Sequence, residues 1–403
     1  MRHTRILIAG TAASLASAAV AQLLPALPQV GGVLRPVTGV IDDTVQGATR
    51  TVRDFADARL SRITALVRAN PGRIALDPQG FPARAGEIVL TDQDAAVVAA
   101  VEGKGFTVID RGEALGIGFV RLAVPPRVSL KAAIRLAQSL GAKDVSADQI
   151  YTGSGAVDAA SPPAIGNGPR IGLIDGGVAG GGATQRGFAS GAPKASVHGT
   201  AVASLIAGSG RIRGAAPGAR LYAADVYGSD PAGGNATAIV QALGWMAEQR
   251  VPVVNISLVG PPNPLLGRVV AAAQARGMII VAAVGNDGAA SPPSYPASYP
   301  GVIAVTATDA RKRVLIEAGR AMHLDYAAPG ADMLAADMGG GTASVRGTSF
   351  AAPLVAGTIA RAYAAPDNSR RAGALAVVDA GAERLGNRYG RGLVCAPCRT
   401  SAK

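Results

Sequence analysis

The residues of this 403-residue chain best suited to chemistry are a strand-end acid, a helix-start imidazole, a helix-start hydroxyl and a turn amide. Asp175 ends the apolar run Ile171-Gly172-Leu173-Ile174 and precedes Gly176-Gly177. An acid at a strand tip serves as helix cap, metal ligand or catalytic carboxylate, and alone it favours none of these. His198 opens His198-Gly199-Thr200, ahead of Val202, Leu205 and Ile206 on one helical face; a lone histidine there is ordinarily a packing or capping residue. Ser349 lies in Arg346-Gly347-Thr348-Ser349-Phe350-Ala351-Ala352-Pro353, a turn running into a helix. Free backbone N–H groups and the helix dipole at such a start stabilise negative charge on an attacked carbonyl oxygen, so the serine is either a nucleophile or a common helix cap. Asn286, in Ala283-Val284-Gly285-Asn286-Asp287-Gly288, supplies an amide donor or merely turn chemistry before glycine.

The elements that must position these groups read as an alternation of strands and helices. Apolar strands are expected at 170–174, 220–226, 252–258, 278–283 and 302–308, and helices after His198 and at 236–249, 265–276 and 350–363. Strands separated by helical stretches imply an α/β fold, a parallel sheet with helices on both faces, whose sites lie beyond the carboxyl ends of the strands. Asp175, Asn255 and Asn286 all fall at or near such ends. Upstream, residues 84–155 follow the order βαββαβ, which predicts a small α+β (ferredoxin-like) domain. The Gly/Ser/Pro-rich stretch 156–169 reads as a linker to a catalytic domain over 170–396, followed by a basic tail, 397–403. Residues 1–21 read as a signal peptide with a small-residue cleavage site after Ala21. Residues 22–83 are a linker region in which Val45, Ala48, Val52, Phe55, Leu60, Ile63 and Leu66 mark an amphipathic helix with a face packed on the neighbouring domain.

The three boxes around Asp175, His198 and Ser349, in that order, together with Asn255-Ile256-Ser257-Leu258, Ala283-Val284-Gly285-Asn286, Tyr295-Pro296-Ala297-Ser298-Tyr299-Pro300 and Tyr389-Gly390-Arg391-Gly392-Leu393-Val394, resemble the subtilisin-like serine protease family, the subtilases. The resemblance implies an endopeptidase in which Ser349 attacks a peptide carbonyl, His198 takes the proton, Asp175 holds the imidazolium, and Asn286 with the backbone N–H of Ser349 forms an oxyanion hole. It also implies that Ser257, Leu258, Val259 and Gly260 form one edge of the substrate cleft, with Ala283, Val284 and Gly285 lining it, and that an extended peptide adds there as a strand. The chain departs from the family's pattern at Val259, where glycine is usual, at Phe350, where methionine is usual, and at Leu354, where histidine is frequent. By the same resemblance, the βαββαβ segment is a prodomain that assists folding and plugs the cleft with residues 145–153, so that the expected partners are peptide or protein substrates and the chain's own N-terminal part. No cofactor and no metal are expected, since no Asp/Asn cluster of calcium-ligand spacing occurs.

Composition excludes several other classes. Half the residues are apolar, and with only 16% charged the chain is no disordered polymer. The net charge of +12 lacks the aromatic residues and basic runs of a nucleic-acid binder, and none is expected as a partner. From Arg361 onward the chain carries +5 of this charge, enough for a weak association with an anionic cell surface. Only three histidines occur, and His323 lacks the Gly-Thr context of His198. Cys395 and Cys398 have redox-motif spacing, but their place at the tail points to a local disulfide in a secreted or periplasmic protein.

Overall fold

A computed structural model describes residues 38–157, 168–209 and 211–402, with side chains from Thr51 onward. The signal peptide expected over 1–21, the start of the region 22–83 and most of the linker expected over 156–169 lie outside the described residues. From Arg50 onward the described residues form one compact unit.

Among the described residues the order begins with helix α1 (Thr38–Ala69), then strands β1 (Ile74–Leu76) and β2 (Pro82–Thr91), α2 (Ala95–Glu102), β3 (Thr107–Ala114), β4 (Ile117–Ala123), α3 (Leu130–Ser139) and β5 (Asp144–Gln149). The main strands of this antiparallel sheet lie side by side as β3, β4, β2 and β5, with β1 alongside the start of β2. One face buries Ile88, Leu90 and Leu122 under α2 and α3. Helix α3 starts where the Ser129 hydroxyl accepts the Ala132 N–H, filling one of the donors a helix start leaves free. The sheet begins earlier than the expected boundary at residue 84, because Pro82 and Arg84 already pair with Leu76 and Ile74.

Two short strands, β6 (Thr152–Gly153) and β7 (Ala156–Val157), lead into β8 (Arg170–Asp175), β9 (Thr184–Gly187), α4 (Val197–Ala207), β10 (Arg220–Asp225), α5 (Ala236–Glu248), β11 (Val253–Ile256), β12 (Leu258–Val259), α6 (Pro264–Ala275), β13 (Ile279–Ala283), β14 (Ile303–Thr308) and β15 (Tyr326–Pro329). The ribbon β16 (Met333–Ala336) and β17 (Thr342–Arg346), then α7 (Ala352–Ala362) and α8 (Asn368–Gly381), complete the order. Seven strands form the parallel sheet β15-β14-β13-β11-β8-β10-β9. Its central strands are buried on both faces, which is why they read as mainly Val/Ile/Ala runs, interrupted by Asn255 in β11 and by Thr306 and Thr308 in β14, rather than as an apolar/polar alternation. Helices α4, α7 and α8 cover one face and α5 and α6 the other, giving three layers. The outer side of α5 and α6 is in turn covered by Val89, Ala114, Ile117 and Phe119 of the antiparallel sheet.

The chain runs from β8 to β10 on one side and to β11 on the other, so β8 is the switch point at whose carboxyl end a crevice opens. The expected strand 252–258 is two strands, because the backbone at Ser257 leaves the sheet to bond Ser349. Strand β15, the β16–β17 ribbon and helix α8 were not legible in the sequence; Tyr326–Pro329 is too short for periodicity, and α8 buries only Ala374, Leu375 and Val378.

Candidate active site

Asp175, the last residue of β8, is 1% exposed and accepts the Gly176 N–H through Oδ1. Helix α4 begins beside it, its start fixed by Ser196, whose hydroxyl accepts the Gly199 N–H. This sets His198 in the first turn, with Nδ1 2.9 Å from each Asp175 carboxylate oxygen. The close approach depends on Gly199, where a Cβ would overlap the Gly176 carbonyl. Burial works against the imidazolium of His198, but the Asp175 charge and hydrogen bond outweigh it and raise the imidazole pKa above its ordinary value. With Nδ1 engaged, Nε2 is directed to the crevice, where it is buried and has no hydrogen-bond partner.

Ser349 stands in a single 3-10 turn, Thr348–Phe350, immediately ahead of α7. It is fully buried. Its hydroxyl donates to the Ser257 carbonyl at 2.9 Å, while the Ser257 hydroxyl donates to the Ser349 carbonyl at 2.8 Å. Asn255, at the end of β11, steadies this exchange by donating Nδ2 to the Ser257 hydroxyl at 2.9 Å. Asn286 follows β13, and its Oδ1 accepts the Thr348 N–H at 3.0 Å, which turns Nδ2 toward the turn. A Cβ built on Gly347 would lie 2.6 Å from Asn286 Nδ2 and 2.8 Å from the carbonyl oxygen of Ser154; glycine at 347 therefore leaves room for an amide donor and a carbonyl oxygen to face one another.

That carbonyl belongs to the chain itself. Gly153 and Thr152 of β6 pair antiparallel with Leu258 and Val259 of β12, and beyond the serine, Ala156 and Val157 of β7 pair with Arg346 and Val345 of β17. Between these two pairings Ser154 sits on Ser349: its carbonyl accepts the Ser349 N–H at 3.1 Å, its N–H donates to Ser349 Oγ at 2.9 Å, and the two hydroxyls are 2.7 Å apart. Thr348 completes the seat, its hydroxyl 3.3 Å from that of Ser154 and accepting the Gly285 N–H at 3.1 Å. Gly153 lies on the His198 ring, where a Cβ would come within 3.3 Å of Nε2. Tyr151 is fully buried, with its hydroxyl donating to the Pro261 carbonyl and its own carbonyl accepting from Tyr227.

The structure thus brings Asp175, His198, Ser349 and Asn286 to one crevice, with Ser257, Leu258, Val259 and Gly260 along its edge. Of the segment Ala283, Val284 and Gly285, the first two turn their side chains into the cores on opposite faces of the sheet. Gly285 reaches Thr348, and a Cβ there would lie 3.5 Å from Val259 Cγ1. His323 lies apart, its Nε2 bonded to the Val302 carbonyl. Cys395 and Cys398 form a disulfide. Among the described residues no three His, Cys, Asp or Glu side chains gather around a common point, and no helix is long and apolar enough to cross a membrane.

Sequence reasoning missed two parts of the site. One is Ser154, in a Thr-Gly-Ser-Gly stretch whose composition is that of any linker. The other is the position of α1, expected as an amphipathic helix packed on the neighbouring domain but not as the wall of a cavity of about 660 Å³ beside the segment 152–156. Arg59 and Arg62 of this helix pair with Asp287, next to Asn286, and Phe55 stands against Gly288.

Comparison with known proteins agrees with this architecture. The family model described as Subtilase family (Peptidase_S8) matches residues 183–390, about half the chain, a span that begins after Asp175. Subtilisin BL of Lederbergia lenta is 41% identical over 167 residues, 40% of this chain and 61% of that protein. Subtilisin E of Bacillus subtilis is 34% identical over 208 residues, 49% of this chain and 54% of that protein. The match thus spans 54–61% of the length of these curated relatives, less than two thirds. In fold, the chain is similar to fervidolysin from Fervidobacterium pennivorans, with a TM-score of 0.64 at 20% identity over 82% of this chain and 63% of that one. On the family match, and with the α/β fold beneath it, the chain belongs to the subtilase family.

Proposed function

We propose that this protein is an exported serine endopeptidase made as a self-processing zymogen, and that its first substrate is its own Ser154–Gly155 bond. The seating of Ser154 carries the reading: a peptide carbonyl bonded to the N–H of a buried, helix-start serine, with strand pairing on either side of it. That is how an extended peptide is held when its backbone supplies the affinity.

In this reading Ser349 Oγ attacks the Ser154 carbonyl carbon and its proton passes to His198 Nε2. The oxyanion is held by the Ser349 N–H and Asn286 Nδ2, while Asp175 fixes the imidazole through Nδ1 and stabilises its charged form. Collapse of the tetrahedral adduct breaks the bond to Gly155, whose nitrogen leaves with the proton from His198. Water, deprotonated by the same imidazole, then hydrolyses the ester on Ser349. In the uncleaved chain the Ser349 hydroxyl donates to Ser257, and Nε2 has no partner, so the hydroxyl must first swing from the Ser257 carbonyl to the imidazole. Such catalytic hydrogen bonds often tighten only as reaction begins.

Residues N-terminal to the cut act as prodomain and inhibitor, since their last strand fills the cleft edge that an external peptide would need. The released enzyme takes peptide or protein substrates outside the cytoplasm, and its basic C-terminal part favours a weak association with an anionic surface. A serine-directed phosphonate should label the processed protein and leave Ser349→Ala unlabelled. Absence of label on processed wild type would contradict the enzymatic reading.

A further inference from the structure

We propose that Phe350 makes glycine obligatory on the leaving side of the bond this enzyme cleaves. The inference rests on the protease reading above and adds a substrate requirement to it. Gly155 immediately follows the carbonyl seated on Ser349. A Cβ built on it would overlap the Phe350 ring, with Cζ 2.9 Å and Cδ2 3.1 Å away and Cε2 closer still. Gly155 is not among the glycines with positive φ, so its backbone conformation is open to any residue; the aromatic ring is what demands its lack of a side chain.

Neither partner is free to give. The ring is fully buried in the core between the parallel sheet and α4 and α7, and lies 5.5 Å, centroid to centroid, from the His198 ring. The peptide is pinned on both flanks, by Gly153 on Leu258 and by Ala156 on Arg346. Its backbone also passes close to the turn, because a Cβ on Gly347 would lie 2.8 Å from Gly155 Cα. On the other side of the scissile bond the restriction is milder: a Cβ on Gly153 would meet His198 at 3.3–3.4 Å, a tight contact rather than an overlap. Substrates of the released enzyme are therefore peptides with glycine directly after the cleaved bond, and the chain's own Ser154–Gly155 sequence is the first of them.

The test pairs two peptides, Tyr-Thr-Gly-Ser-Gly-Ala-Val and Tyr-Thr-Gly-Ser-Ala-Ala-Val, as substrates of the processed wild type and of F350M and F350A. Wild type should cleave the glycine peptide with a kcat/KM at least roughly tenfold higher, the scale set by forcing a methyl group into a filled site. Both variants should narrow that ratio, F350A most; F350M, close in volume, serves if F350A does not fold. In the full-length chain G155A should stall processing, and G155A/F350A should restore it. Equal turnover of the two peptides by wild type, or an unchanged ratio in F350M, would overturn the proposal. Turnover of neither peptide, without labelling of Ser349, would overturn the protease reading and the glycine requirement with it.

Discussion

At the scale of single residues, the site depends on which atoms are already held and which are left free. Asp175 occupies Nδ1 of His198 and leaves Nε2 without a partner; Asn286 spends Oδ1 on the Thr348 N–H, and in the proposed reaction its Nδ2 serves the substrate carbonyl. Asn286→Ala should therefore slow processing and peptide cleavage by about 100- to 1000-fold with little change in KM, a magnitude taken from oxyanion donors of related enzymes. In the proposed reaction the imidazole must be neutral to accept the serine proton, and its pKa is raised. Activity should therefore fall as pH drops through a midpoint above the ordinary histidine value of 6.5, readable as the acid limb of the processing rate. Asp175, His198, Ser349 and Asn286 could be singled out in the sequence as candidates because each ends or begins an apolar element and carries a local motif. Ser154 could not: it meets its partner across 195 positions, and nothing in Thr-Gly-Ser-Gly distinguishes a seated peptide from a linker. Phe350 was visible as a departure from the family pattern, but its consequence required knowing that Gly155 lies against it.

At the scale of elements, the antiparallel sheet is tied to α5 and α6 by polar groups at the helix starts as well as by apolar packing. Asn263 caps α6 through Oδ1 and donates Nδ2 to Gln149 at 2.6 Å. Asp148 on β5 accepts both the N–H and the hydroxyl of Thr237 in the first turn of α5. Burial pushes the Asp148 carboxyl from 3.8 up to about 6, more than its two Thr237 bonds recover. The docked form thus binds more protons than the undocked one between those values. Its contribution is present in full below 3.8 and lost as pH rises through about 6, by at most roughly tenfold in affinity per pH unit. After processing, the N-terminal part should stay bound at pH 5 and dissociate more readily at pH 7 on size-exclusion chromatography. Asp148→Asn should flatten that dependence; an unchanged profile would show that other groups control release. Elsewhere the junction is held by Asp230, whose carboxyl Arg73 and Arg84 keep down at about 2 despite its burial. The order of strands and helices from β2 to β14 was largely legible from hydrophobic runs and caps, and β15, the β16–β17 ribbon and α8 were not; these couplings join segments that carry no signal of one another.

At the scale of the whole molecule, the proposed function makes a long chain with a strongly positive charge an enzyme that holds its own substrate. The basic C-terminal stretch does not hang free throughout: Arg399 donates to the Asp332 carbonyl, and Thr400 takes the Arg213 N–H. Residues 152–157, which fill the crevice, belong to the stretch of chain between the antiparallel and the parallel sheet. Cutting within them converts a tethered inhibitor into a separable one, and this is the account's central claim. Mass spectrometry of the wild-type protein and of Ser349→Ala, expressed in parallel, tests it most directly. The account predicts a new N-terminus at Gly155 in the wild type and an uncut chain in the variant. An uncut wild type, or the same cut in the variant, would contradict it.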